Sequence, residues 1–144
     1  MSVAEGYGEP ETQRLVDEQP KAGGRDPFTR DRARVLHCAA LRRLAAKTQV
    51  LTVGDSDIPR TRLTHTLEGA SIARTIGRAL QLNEDLIEAL ALLHDIGHPP
   101  FGHAGEDALN EVLDGSGGFS HNQFALTIVE EIEQRYPQFS GINL

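Results

Sequence analysis

Apolar residues recur along this chain at spacings of three and four, with no sustained strand-like alternation, so the pattern predicts an all-α domain. Asp26-Pro27 reads as a helix start, after which His37, Leu41, Leu44 and Thr48 share one face of a helix running to about Gln49. Residues 52–60, with Gly54, Asp55, Ser56, Asp57 and Pro59, read as a loop. A second helix is predicted from about Thr61 to Leu82, with His65 topping a stripe of Gly69, Ile72 and Ile76. Asn83 is a good N-cap for a third, whose first turn carries Glu84 and Asp85 at the positive helix end and whose inner face is Ile87, Leu90, Ala91 and His94. Gly97, Pro99 and Pro100 stop it. A fourth helix covers about Ala104 to Leu113, residues 115–120 form a glycine-rich loop, and a fifth runs from about His121 to Arg135. Residues 1–25 show no period and read as a disordered N-terminal tail, leaving 26–144 as the folded part.

At 144 residues and 39% hydrophobic content the chain can build one modest domain. Its net charge of −7 argues against nucleic acid or an anionic membrane as a partner, while leaving small phosphate ligands open. No segment is apolar enough to span a bilayer, and a single cysteine, Cys38, excludes an intrachain disulfide, so a reducing cytoplasm is expected.

Residues 94–106 concentrate the chemistry: three histidines, an aspartate and a glutamate surround a helix-breaking turn. His94 and Asp95 close an apolar run, Leu86 to Leu93, and burying such groups is costly unless something binds them. A divalent transition ion or magnesium in a mixed nitrogen and oxygen site is the economical explanation. Consecutive helical residues point about 100° apart, yet at a helix end both can converge on one ion. His65 is the candidate third ligand, because antiparallel packing across the Asn83 turn brings the start of one helix near the end of the next; alone it reads rather as a hydrogen-bonded core histidine, and His94-Asp95 reverses that preference. Arg62, one turn before His65, is placed for a phosphate or is simply solvated. His37 is expected to be structural, His98 to shape the turn, and His121-Asn122 to cap a helix.

His65 followed by His94-Asp95 resembles the HD superfamily of metal-dependent phosphohydrolases. The surrounding words are more specific: Arg42-Arg43-Leu44 with Lys47-Thr48-Gln49-Val50, Arg60 through His65, His94 through Glu106, then Gly117-Gly118-Phe119 and His121-Asn122. In that order they resemble the bacterial deoxynucleoside triphosphate triphosphohydrolases, the deoxyguanosine-triphosphatase-like family. The resemblance implies hydrolysis of a deoxynucleoside triphosphate such as dGTP at the α-phosphorus, releasing deoxynucleoside and triphosphate. It implies a metal, Mn2+ or Mg2+, on His65, His94 and Asp95, a catalytic pair in His103 and Glu106, and substrate contacts from Gln49 and Arg62. By position alone Gln49 is a polar helix end. A homo-oligomer is expected of the complete protein.

The family completes its metal site with an aspartate further downstream than Leu144, so the chain is expected to be an N-terminal part of an HD domain, incomplete at its C-terminus. Ser120 stands where the family usually has glutamate, and Gln123 follows Asn122 where a spacer is usual. Competing readings are an HD phosphohydrolase acting on nucleoside monophosphates and a noncatalytic nucleotide-binding sensor. A non-haem iron oxygenase also uses two histidines and a carboxylate, usually on a β-barrel that this helical pattern does not form.

Overall fold

The computed structural model describes residues 7–18, 24–48 and 60–144. Among these lie seven α-helices: α1 (Glu9–Thr12), α2 (Pro27–Leu36), α3 (Ala39–Arg43), α4 (Arg62–Ala79), α5 (Glu84–Leu93), α6 (Gly102–Val112) and α7 (His121–Thr127). Gln49 and most of the predicted 52–60 loop lie outside the described residues. None of the described helices is long and apolar enough to cross a membrane.

Asp26 starts α2 as read from sequence, its carboxylate accepting the Thr29 N–H at 3.0 Å with Pro27 in the first turn. The helix predicted to continue to Gln49 instead breaks at His37-Cys38 and restarts as α3, followed by a tighter turn over Leu44–Ala46. Cys38 caps α3 weakly, its Sγ accepting the Leu41 N–H at 3.3 Å. A stronger partner arrives from far along the chain: Glu133 accepts the N–H groups of Ala39 and Ala40 at 3.1 and 2.6 Å, satisfying two orphan donors and placing a negative charge at a positive helix end. The break lets Val35, Cys38, Leu41 and Leu44 all enter the core and turns His37 out to solvent, which removes the structural role expected for it.

Thr61 and Asn83 cap α4 and α5, accepting from Thr64 N and Leu86 N at 3.2 and 3.0 Å. Their inner faces differ from the predicted ones. On α4 the buried positions are Arg62, Thr66, Ala70 and Gly77, while Ile72 and Ile76 are 62% and 55% exposed; on α5 they are Ala89 and Leu92, with Leu90 outside. Small side chains let the two helices approach closely: a Cβ on Gly77 would sit 2.3 Å from Ile87 Cδ1. Helix α5 packs between α2 and α4. Ion pairs line its seams, Arg32 with Asp85 and Glu88 at 2.9 and 3.4 Å, and Arg74 with Glu84 and Glu88 at 3.1 and 2.9 Å.

Helix α7 widens into a π-helical turn over Ile128–Ile132 rather than running regularly to Arg135. The chain then returns, with Gly141 N–H donating to Glu133 O at 2.7 Å and Ile142 N–H to Val129 O at 2.8 Å, and Ile142 fully buried beneath it. Residues 7–18 fall within the stretch expected as a tail, yet they are held to the body. Arg14 pairs with Asp31 and donates to Pro27 O at 2.8 Å, and the Asn143 side chain both donates to and accepts from the Val16 backbone at 2.9 and 2.8 Å.

Candidate active site

The turn after α5 is built by close backbone approaches that only glycine permits. Added to Gly97, a Cβ would lie 2.1 Å from the His121 carbonyl oxygen; added to Gly105, it would lie 1.9 Å from the Pro100 carbonyl oxygen. Between them Phe101 takes a left-handed backbone, φ 67°, uncommon for a bulky residue, and its ring is 91% exposed. This turn carries Asp95, His98 and His103 within nine residues and presses against the first turn of α7, where His121 sits.

His65 and His94, on facing helices as expected from antiparallel packing, bring their rings to 5.9 Å. His94 Nδ1 donates to Ala91 O at 2.6 Å, which fixes the proton on Nδ1 and leaves Nε2 open as an acceptor, the arrangement a metal-ligating imidazole needs. His65 is held differently: Arg60 Nη2 donates to its Nδ1 at 3.4 Å, so the neutral ring carries its proton on Nε2, and ligation through Nε2 requires that weak contact to break. Asp95 is buried and engaged by Arg62, whose Nη1 lies 3.1 Å from both carboxylate oxygens. Arg62, the expected phosphate contact, thus points at an expected metal ligand. Pairing the two buried charges meets a desolvation cost that neither could meet alone.

The tightest ligand-type cluster among the described residues is a different one. His98, Glu106 and His121 each offer a donor atom within 4.8 Å of the others. His121 Nδ1 lies 2.8 and 2.9 Å from the two Glu106 oxygens, and the His121 backbone N–H donates to the same carboxylate at 2.9 Å. The backbone donor first, then the ring donor, hold Glu106 well below the usual carboxylate range, at about 2. His103 Nδ1 approaches the same group at 3.3 Å, so the expected His103–Glu106 pair is present, although His121 is the closer partner. His98 stacks on His121 at 4.8 Å with 13° between the planes and meets His103 edge-on at 5.1 Å. Its Nδ1 is buried without a hydrogen-bond partner, and burial, then the nearby Arg62 charge, push the imidazole below its ordinary range. A neutral, orphaned imidazole nitrogen beside a carboxylate suits a metal ion or a proton-bearing ligand oxygen.

Sequence reading assigned His98 to the turn and His121 to a helix cap. The signal available for them was composition: four histidines and two glutamates, Glu106 and Glu111, lie within residues 94–121, with glycines at 97 and 105 where backbones must meet.

A helical domain with a His-Asp dipeptide closing one helix and a histidine on its neighbour defines an HD domain, and the HD-domain family matches residues 62–142. The chain belongs to that family. Its relatives are more specific: it is 54% identical over 129 residues to a deoxyguanosinetriphosphate triphosphohydrolase-like protein of Ralstonia nicotianae, covering 90% of this chain. It is also 57% identical over 131 residues to the protein of that name from Brucella ovis, and 61% identical over 120 residues to that from Bartonella quintana, covering 91% and 83% of this chain. The chain spans about a third of the length of these relatives, 33%, 32% and 30% respectively.

Proposed function

We propose that this chain carries part of the active site of a metal-dependent phosphohydrolase that cleaves deoxynucleoside triphosphates to deoxynucleoside and triphosphate. The observation that carries the reading is the junction of two groups of side chains at one turn: His65, His94, Asp95 and Arg62 on one side, His98, His103, Glu106 and His121 on the other. The names of the relatives supply the substrate class.

A divalent ion, Mn2+ or Mg2+, on His65, His94 and Asp95 would supply electrophilic stabilisation of a phosphoryl oxygen. Of the three, His94 presents an open Nε2 to such an ion, while Asp95 is held by Arg62, and among the described residues their ligand atoms do not gather into one cluster as those of His98, Glu106 and His121 do. The guanidinium matches a phosphate as well as it matches Asp95, so substrate phosphate and carboxylate share one donor. Glu106 stays ionised at neutral pH and orients His121 and His103 through their Nδ1 atoms. His103 therefore presents Nε2 outward, where its exposed ring passes a proton to or from a reacting oxygen. Gln49, outside the described residues, is assigned to the substrate by resemblance. Cytoplasmic location and a homo-oligomeric complete protein belong to the same reading.

Incubation of the complete protein, rather than of this chain alone, with Mn2+ or Mg2+ and each deoxynucleoside triphosphate tests it, because the chain by itself is expected to lack the downstream aspartate and to turn over little or nothing. Release of triphosphate and deoxynucleoside is expected. Orthophosphate release from monophosphates would replace it with the alternative hydrolase, and nucleotide-dependent assembly without any product would replace it with a sensor.

A further inference from the structure

Lys47 lies on the short segment between the Leu44–Ala46 turn and the residues preceding α4, away from the His-Asp dipeptide in sequence. Its ammonium donates to the His98 carbonyl at 2.7 Å, and its own carbonyl accepts the Arg62 N–H, the first donor of α4, at 2.8 Å. One residue further on, Thr48 pairs with Thr61 in an isolated antiparallel bridge. Lys47 also lines two cavities of about 360 and 370 Å³, the first shared with Arg43, His98 and Glu133, the second with Arg62, Pro99 and Phe101.

We infer that Lys47 is a positioning residue that joins the two halves of the candidate site, fixing the His98 peptide through its ammonium and the start of α4, and so Arg62, through its carbonyl. The argument rests on what His98 lacks. Its ring nitrogen Nδ1 has no hydrogen bond, so stacking on His121 and the tether on its peptide are what hold the ring. The His98 N–H is already committed to Asp95 O at 3.1 Å, which leaves its carbonyl as the point where an outside group can act. Lys47 is half-buried, and burial, then the neighbouring Arg62 charge, lower its ammonium from the ordinary range, with Asp95 opposing them. A cation kept in that setting needs a good acceptor, and the His98 carbonyl is it. Arg62, Asp95, His98 and His121 then form one connected frame, held at its α4 end by the Lys47 carbonyl and at its His98 end by the Lys47 side chain, which hydrogen-bonds none of the expected ligands.

The inference rests on the proposed hydrolase only for its kinetic arm. Lys47→Met removes the donor at similar length; Lys47→Arg keeps one. In the histidine-ring NMR spectrum of the full chain at fixed pH, Lys47→Met is expected to move the His98 and His121 signals together while the exposed His37 signal stays, and Lys47→Arg to return them toward the unsubstituted positions. Unmoved His98 and His121 signals in folded Lys47→Met would overturn the inference, as would movement that Lys47→Arg leaves uncorrected. Should Lys47→Met fail to fold, Lys47→Arg decides, since retained ring signals support the tether and displaced ones refute it. With turnover, Lys47→Met lowers kcat by about 10²-fold with little change in KM, as expected for misplacement of about 1 Å. The kinetic arm uses the complete protein, in which absence of turnover would sink the hydrolase reading and leave the ring signals to judge Lys47.

Discussion

Replacing Gly97 with alanine adds one methyl group where three backbone atoms already stand. The new Cβ would lie 2.1 Å from His121 O, 2.6 Å from Ala125 N and 3.1 Å from Ala125 Cα, whereas ordinary contact begins at 3.4 Å. Every one of these atoms belongs to the backbone of α7, so no rotamer change relieves the clash, and the helix must retreat from the turn by about 1 Å. Two effects follow. Overpacking costs about 1–3 kcal/mol, which in a domain of this size lowers Tm by roughly 4 °C per kcal/mol. The retreat also carries His121 away from Glu106 and from its stack on His98, and a shift of that size costs roughly 10²-fold in a rate that depends on positioning. Gly115→Ala is the control, because nothing lies within 4 Å of a Cβ there and its φ is not positive, so stability should stay within about 0.5 kcal/mol. Thermal melts and histidine-ring spectra of the two variants decide the matter. A Gly97→Ala protein that melts with the unsubstituted chain and keeps its His121 signal would refute the close approach of turn and helix.

Gly69→Ala should do the opposite, raising stability by about 0.5–1 kcal/mol in denaturant titration, since the position is helical and nothing lies within 4 Å of a Cβ. Arg62→Ala leaves the Asp95 carboxylate buried and unpaired, with an expected loss of about 3–5 kcal/mol, and further substitution of Asp95 with asparagine should restore much of it; a loss under 1 kcal/mol would mean that the pair is open to water. For Glu106 the folded value of about 2 lies below the ordinary 4.5, so its contribution to stability is complete above pH 4.5 and is lost as pH falls toward 2. Stability measured across that window should fall less steeply in Glu106→Gln than in the unsubstituted chain.

Local signals in the sequence set the starts of α2, α4 and α5, because Asp26, Thr61 and Asn83 act on donors three residues away. The break at Cys38 was hidden: apolar positions keep a helical spacing on both sides of it, and the group that caps α3 best, Glu133, is more than ninety residues distant. Periodicity also chose the wrong stripe on α4. Ile72 and Ile76 carry the hydrophobicity, but close helix contact favours small side chains, and Ala70 and Gly77 take the inner face. At the site, His103–Glu106 was readable because its partners lie three residues apart on one helix turn. The stronger Glu106–His121 contact spans fifteen residues and a loop, and only the meeting of Gly97 with α7 creates it.

Asn143 reads the Val16 backbone in both directions, copying with an amide side chain the paired bonds of a β-ladder across 127 residues of sequence. It does so from a left-handed backbone, φ 59°, that asparagine tolerates better than most residues. Next to it Ile142 N–H closes onto the π-helical turn, and Arg34 engages the Asn143 carbonyl. Residues 14–18 and 141–143 therefore open as one cooperative unit: slow amide exchange at Val16 requires Ile142 to stay docked, and hydrogen exchange at the two amides should share a single opening free energy.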